Sequence, residues 1–222
     1  MLVSGGLDSA VTLAVAKRDG HECIAVTFDY GQRHRVELAC AAKVVAAIGV
    51  QEHRLVNIDA SALAGSALTG GGPVPHGRSE SAIGQGIPDT YVPARNLVFL
   101  SHALAIAETA GARSLYIGAN AVDYSGYPDC RDVFLKSFQA TANLATKAGI
   151  QAAASPSDTC GFVVHAPLLD LPKADIIRLG HSLGIDFSMT SSCYDPTADG
   201  GACGTCDSCV IRAAGFAAAA ID

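Results

Sequence analysis

The sequence predicts an α/β fold in which a parallel sheet is flanked by helices and a small cysteine-rich appendage closes the C-terminal end. Helical spacing of apolar residues alternates with short β-branched runs along most of the chain, the pattern of a parallel sheet whose crossovers are helices. A Ser-Gly-Gly turn joins the first such run to the first helix. Four cysteines crowd together between Cys193 and Cys209. With 222 residues, half of them apolar, the chain can bury one substantial core. One main domain is therefore expected over residues 1–186, with 187–222 packed on it.

Each element has its own signal. Leu7 to Lys17 carries apolar residues at helical spacing, Cys23 to Phe28 reads as a buried strand, Val36 to Ile48 as a helix and His53 to Ile58 as a strand. Only three residues precede the Ser-Gly-Gly turn, so the first strand is expected to be very short. Between Gly65 and Asp89 the composition turns to Gly, Pro and Ser. That is too long for an ordinary connection, and mobility is expected there. Asn96 to Thr109 returns to helical spacing, Ser114 to Ala119 to a strand, Val133 to Ala148 to a helix and Phe162 to His165 to a short strand. Lys173 to Leu183 forms a helix behind Pro172, a residue tolerated at helix starts. The Ala-rich stretch from Arg212 to Ala220 reads as a closing helix.

A formal charge of −6 argues against a broad face for duplex nucleic acid, which needs clustered Lys and Arg. A small anionic ligand in a pocket is compatible with it. No apolar run approaches the about 20 residues of a membrane helix, and no basic segment leads an apolar one at the N-terminus. A soluble, cytoplasmic protein is expected, with neither membrane nor nucleic acid as a direct partner; a homodimer would be common for a compact chain of this size.

Two clusters carry chemistry. Val3-Ser4-Gly5-Gly6-Leu7-Asp8-Ser9 reads as a strand end, a tight turn and a helix start. That order exposes unpaired N–H groups and a partial positive charge, so it favours phosphate without a basic side chain. Gly5 and Gly6 let the backbone come close to a ligand, while Ser4 and Ser9 add hydroxyls. The Walker and GxGxxG patterns are both absent. Farther on, Cys193, Cys203, Cys206 and Cys209 form C-x9-C-x2-C-x2-C, which suits a tetrahedral Zn2+ with Zn–S bonds of about 2.3 Å. Four thiolates close the coordination sphere, so such a metal is structural; an iron–sulfur cluster is the alternative. Cys23, Cys40, Cys130 and Cys160 are scattered and read as core or near-site thiols.

SGGLDS resembles the pyrophosphatase loop of the PP-loop ATPases, whose fold is Rossmann-like and related to the adenine nucleotide alpha hydrolases. The resemblance implies that ATP is cut between its α and β phosphates and AMP is passed to a substrate oxygen. FDYGQRH at Phe28 to His34, VPARN at Val92 to Asn96, SGYPDCRD at Ser125 to Asp132 and the four cysteines are together similar to the QueC family of queuosine biosynthesis. This implies a ligase that takes 7-carboxy-7-deazaguanine, free ammonia and ATP and returns the nitrile through an adenylated carboxylate and an amide. Leu7 stands where many members carry Gln, and the loop from Gly65 to Asp89 departs from the family in length and composition.

The resemblance also distributes roles. Val3 to Ser9 would hold the nucleotide phosphates, with Phe28 and its neighbours reading adenine after the second strand. Lys173, in PLLDLPKAD, would join the loop amides and Mg2+ in stabilising the departing pyrophosphate, and Asp8 would hold the Mg2+. Arg95 and Arg131 would pair with a carboxylate or phosphate through their planar forks. Tyr30 and the acids Asp123, Asp129 and Asp132 are the remaining candidates for the substrate, since a carboxylate can take two N–H donors of a guanine-like edge. The competing readings are a PP-loop adenylating enzyme acting on another carboxylate or on tRNA, and a zinc-stabilised nucleotide-binding protein without catalysis.

Overall fold

The computed structural model describes residues 1–79, 82–83, 86–120, 126–154 and 161–221. Its helices and strands run α1 Leu7–Arg18, β1 Ile24–Asp29, α2 Val36–Ile48, β2 Glu52–Asn57, α3 Arg95–Ala110 and β3 Ser114–Tyr116. They continue as α4 Asp132–Ala145, α5 Lys147–Ala154, β4 Val163–His165, α6 Lys173–Ser182 and α7 Asp207–Ala219.

β1 pairs in parallel with β2, from Ile24 opposite Glu52 to Asp29 opposite Asn57, and β3 pairs in parallel with β4, from Ser114 opposite Val163 to Tyr116 opposite His165. Met1–Val3 lies between the two pairs. The Val3 N–H donates to Val26 O at 2.9 Å, the Val26 N–H to Met1 O at 2.8 Å, and the Leu2 N–H to Tyr116 O at 3.0 Å. Across the fold the order is therefore β2, β1, the N-terminal segment, β3, β4. The chain leaves the centre in one direction through α1 and α2 and returns to the other side through α3, which puts the switch point directly above Ser4.

Helix α1 is buried from Leu7 to Ala16 apart from the half-buried Asp8, with Ser9 and Thr12 among the buried residues, so protein covers it on nearly every side. Ala10 and Leu13 pack with Ala25, Ala41 and Val44 toward the sheet and α2. Leu7, Val11 and Val15 pack with Ile176, Ile177, Phe187 and Ala219 on the side of α6 and α7. Each fully buried Leu or Ile there contributes about 2 kcal/mol.

Several boundaries differ from the sequence reading, each for a local reason. The strand expected over Ser114 to Ala119 ends at Tyr116. Gly118 then runs against the phosphate-loop backbone, where a Cβ would lie 3.1 Å from Ser9 N. The single helix expected over Val133 to Ala148 breaks at Thr146 into α4 and α5. The Thr146 hydroxyl donates to Ala142 O at 2.7 Å, ending one helix, and accepts the Gly149 N–H at 3.1 Å, starting the next. The closing helix begins at Asp207 rather than Arg212 and so takes Cys209 into its first turn.

The loop from Gly65 to Asp89, where mobility is expected, is anchored at several of its described residues, although most of the others are exposed or half-buried. Ala67, Leu68 and Val74 are buried in the main core, and the Ala67 N–H donates to Asp89 O at 2.9 Å, closing the loop on itself. Its apex is tied to the cysteine region: His76 bridges to Cys206, and the Gly77 N–H donates to Thr205 O at 2.9 Å. Among the described residues, no helix is long and apolar enough to cross a membrane.

Candidate active site

A cleft of about 1090 Å³, open mouth included, lies at the switch point and is lined from both sides of the sheet. Val3, Ser4, Gly6, Leu7, Asp8 and Ser9 form its floor, and Phe28, Tyr30 and Arg95 one wall; Gly118, Ala119, Ser191 and Ser192 close it opposite.

The floor is rigid. Gly5 sits at φ +86°, and a Cβ there would come within 2.2 Å of Glu37 O and 2.6 Å of Ala41 N, so only glycine lets α2 pass this close. The Ser9 hydroxyl donates to Gly6 O at 2.9 Å and accepts the Ser4 N–H at 3.2 Å, which ties the turn to the first turn of α1. Gly6 is the N-cap of α1 and supplies no side-chain cap, leaving the helix-start amides for a ligand. From the opposite wall the Ser191 N–H donates to Gly5 O at 3.0 Å. Arg212 holds that wall in place, donating to Thr190 Oγ1 at 2.9 Å, Ser192 Oγ at 3.3 Å and Phe187 O at 2.9 Å.

Lys173, the first residue of α6, lies outside the cleft lining and meets the floor through Asp8: its Nζ lies 2.7 Å from each carboxylate oxygen of Asp8. Phe28 lies flat on Phe99 with centroids 4.1 Å apart and planes at 4°, and the Tyr30 ring meets Phe99 edge-on at 5.3 Å. The buried Tyr30 hydroxyl accepts from Arg95 Nη1 at 3.3 Å. Burial raises the Tyr30 phenol above its ordinary value, against the pull of the Arg95 charge.

The structure does not bring all the sequence candidates to this cleft. Asp129 is buried and its Oδ2 accepts the Asn96 backbone N–H at 2.8 Å, outside the cleft lining. Arg131 and Asp132 are exposed on the outward side of the start of α4, and Asp132 pairs with Lys136 at 2.6 Å. Their place there follows from α4 turning its apolar residues Leu135, Phe138 and Ala142 inward, which points the first turn's charges to solvent. Asp123 and Cys160 lie outside the described residues.

Sequence reasoning missed other lining groups. Asn96 and Tyr127 sit inside motifs that gave them no role, and Tyr194 follows Cys193 inside the cysteine motif, where spacing speaks only for the cysteines. Gly118-Ala119 carried one usable signal, a small pair directly after a strand at the carboxyl edge of a parallel sheet. Ser191-Ser192 carried none.

The four cysteines converge. All four Sγ atoms lie within 4.8 Å of one another, and a tetrahedron with bonds of about 2.3 Å needs sulfurs about 3.8 Å apart. Backbone amides already point at the sulfurs: the Cys203 N–H lies 3.3 Å from Cys193 Sγ, the Cys206 N–H 3.3 Å from Cys203 Sγ and the Tyr194 N–H 3.5 Å from Cys206 Sγ. Such donors stabilise thiolates around a cation. The donor set fits a metal ion.

A parallel sheet with a glycine turn and an uncapped helix start at its switch point, together with a four-cysteine site, defines an α/β protein of the PP-loop class. Residues 1–220 match the family model described as Queuosine biosynthesis protein QueC, and the chain belongs to that family. It is 54% identical over 221 residues to the 7-cyano-7-deazaguanine synthase of Paramagnetospirillum magneticum, covering 100% of this chain and 94% of that protein. It is 55% identical over 221 residues to the protein of that name from Myxococcus xanthus, covering 100% and 93%. Among solved structures, NMN synthetase from Francisella tularensis is 16% identical with a TM-score of 0.36 over 93% of this chain and 68% of that one, a likeness too slight to carry an argument.

Proposed function

We propose that this protein is an ATP-dependent carbon–nitrogen ligase that makes 7-cyano-7-deazaguanine from 7-carboxy-7-deazaguanine and ammonia in queuosine biosynthesis. The observation that supports it best is the Lys173–Asp8 pair at the floor of the cleft, set against the uncapped amides of α1. A carboxylate is a poor electrophile. Transferring AMP to its oxygen makes that oxygen a leaving group, which ammonia displaces to give the amide. The amide oxygen then takes a second AMP and leaves with it, so the two oxygens of the acid depart in two molecules of AMP.

In this reading Ser4 to Ser9 hold the β and γ phosphates, and their oriented N–H groups meet the charge that develops on pyrophosphate as it leaves. Lys173 adds a cation on the same side. Asp8 would hold Mg2+, which supplies further neutralisation of phosphate charge. Phe28 and Phe99 offer a flat surface for adenine, and Arg95 with Tyr30 faces the substrate carboxylate. Cys193, Cys203, Cys206 and Cys209 would hold Zn2+, whose role is structural because four thiolates leave no position for a reacting water. The substrates are small metabolites, so a cytoplasmic enzyme that does not contact nucleic acid, and works as a homodimer, completes the reading.

Oxygen-18 placed in the carboxylate of 7-carboxy-7-deazaguanine tests it. The label is expected in AMP. Label in inorganic phosphate, with ADP as the other product, would mean attack on the γ phosphorus and would overturn the reading.

A further inference from the structure

We propose that Asp129 is a positioning residue, a cap brought from a distant part of the chain that sets the start of α3 and so aims Arg95 into the cleft, rather than a group that meets the substrate. The proposal rests on the ligase reading for its effect on turnover, because that effect runs through Arg95.

Helix α3 starts against local rules. Its N-cap is Ala94, in the left-handed region at φ +55°, and it has no side chain able to accept a first-turn N–H. The missing acceptor comes from 33 residues farther on, where Asp129 Oδ2 takes the Asn96 N–H at 2.8 Å. The Asn96 side chain answers, its Nδ2 donating to Asp129 O at 3.3 Å and to Cys130 Sγ at 3.1 Å. Asp129 is 6% exposed, so water competes little for these bonds. A carboxylate at the positive end of a 16-residue helix makes a charge-assisted bond favoured by the helix dipole as well. The Tyr91 hydroxyl adds a second tie, accepting the Ala94 N–H at 3.0 Å.

The clamp sits one residue from Arg95, whose guanidinium reaches Tyr30 OH at 3.3 Å and lines the cleft. Asp129 itself does not line it. Without the cap, the left-handed step at Ala94 has less to hold it, and a shift of about 1 Å at Arg95 is enough to weaken its grip on a substrate.

Asp129→Asn and Asp129→Ala separate the roles. The asparagine keeps an oxygen for the Asn96 N–H, and the KM for the acid in acid-dependent ATP–pyrophosphate exchange is expected to stay within about threefold of the unaltered protein. The alanine is expected to raise that KM by about tenfold or more and to abolish the hydrogen-exchange protection of the Asn96 amide. In an Arg95→Ala background, Asp129→Ala should add little further, because its effect passes through that side chain. A loss of about a hundredfold in Asp129→Asn with the Asn96 amide still protected would overturn the proposal, since the carboxylate charge itself would then be meeting the substrate. Full additivity with Arg95→Ala would overturn it too. If Asp129→Ala does not fold, Asp129→Asn decides. If the unaltered protein shows no acid-dependent exchange, the ligase reading fails by itself, and Asn96 protection still reports whether Asp129 sets α3.

Discussion

Lys173 Nζ stands 2.7 Å from both carboxylate oxygens of Asp8, 165 residues earlier in the chain, and the contact joins the first turns of two helices. An acid is favourable at the start of α1 and a lysine unfavourable at the start of α6, so the lysine is placed there against the helix dipole. The pair resolves that conflict in the free protein and keeps the ammonium group beside the floor of the cleft, neutralised by Asp8.

If that cation meets the leaving pyrophosphate, Lys173→Gln should slow acid-dependent ATP–pyrophosphate exchange by about a hundredfold or more. The melting temperature should fall as well, because the pair is largely buried and glutamine leaves the Asp8 charge without its cation. A loss of less than about tenfold in exchange would make Lys173 a solvated helix-start residue.

Neighbouring glycines of the floor should respond in opposite ways. Gly5→Ala drives a Cβ to 2.2 Å from Glu37 O at a φ of +86°, and should cost about 3 kcal/mol, lowering the melting temperature by about 6 °C or more. At Gly6 an added Cβ meets only Ser4 Oγ at 3.3 Å and Ser191 O at 3.5 Å. Gly6→Val should therefore fold with a loss of about 1 kcal/mol yet weaken ATP binding by about tenfold or more, as calorimetric titration would read. Equal melting temperatures for the two variants would contradict this account of the turn.

Elemental analysis should find about one zinc per chain, and Cys206→Ser should lower stability before it touches chemistry. Removing the metal should also expose the loop carrying His76 and Gly77 to protease, because its apex is hydrogen-bonded to Thr205 and bridged to Cys206. Iron with acid-labile sulfide, or a folded sample without metal, would refute the zinc assignment.

Acid should weaken the fold slightly through two partly desolvated histidines, the exposed His53 of the edge strand β2 and the half-buried His165 of β4. Burial holds His53 below its ordinary 6.5, and burial followed by the nearby His21 does the same for His165. In both, the folded pKa lies beneath the unfolded one, so the unfolded chain binds more protons once the pH falls below 6.5. Stability from these groups is thus intact above 6.5 and lost as the pH falls through the window beneath it. Melting temperatures at neutral and mildly acid pH should show the drop, and His53→Gln with His165→Gln should shrink it; an unchanged drop would assign the acid sensitivity elsewhere.

What the sequence by itself determined is what depends on short-range chemistry. The Val36–Ile48 helix was legible to the residue, because helical spacing and the following Gly49 act within a few positions. The glycine turn before α1 and the cysteine spacing were legible for the same reason. Packing decided the rest. Met1–Val3 reads from sequence as a very short strand, and its place at the centre of the fold comes only from β1 and β3 supplying partners on both sides. The loop from Gly65 to Asp89 looked free in composition, and its apex is pinned by Thr205 and Cys206, far along the chain. The acids of SGYPDCRD are alike in sequence, yet the inward apolar face of α4 turns Asp132 to solvent while the start of α3 takes Asp129 as its cap. Spacing says which residues share a face of one element; which element that face meets is set by burial of the whole core, and only the tertiary structure contains that information.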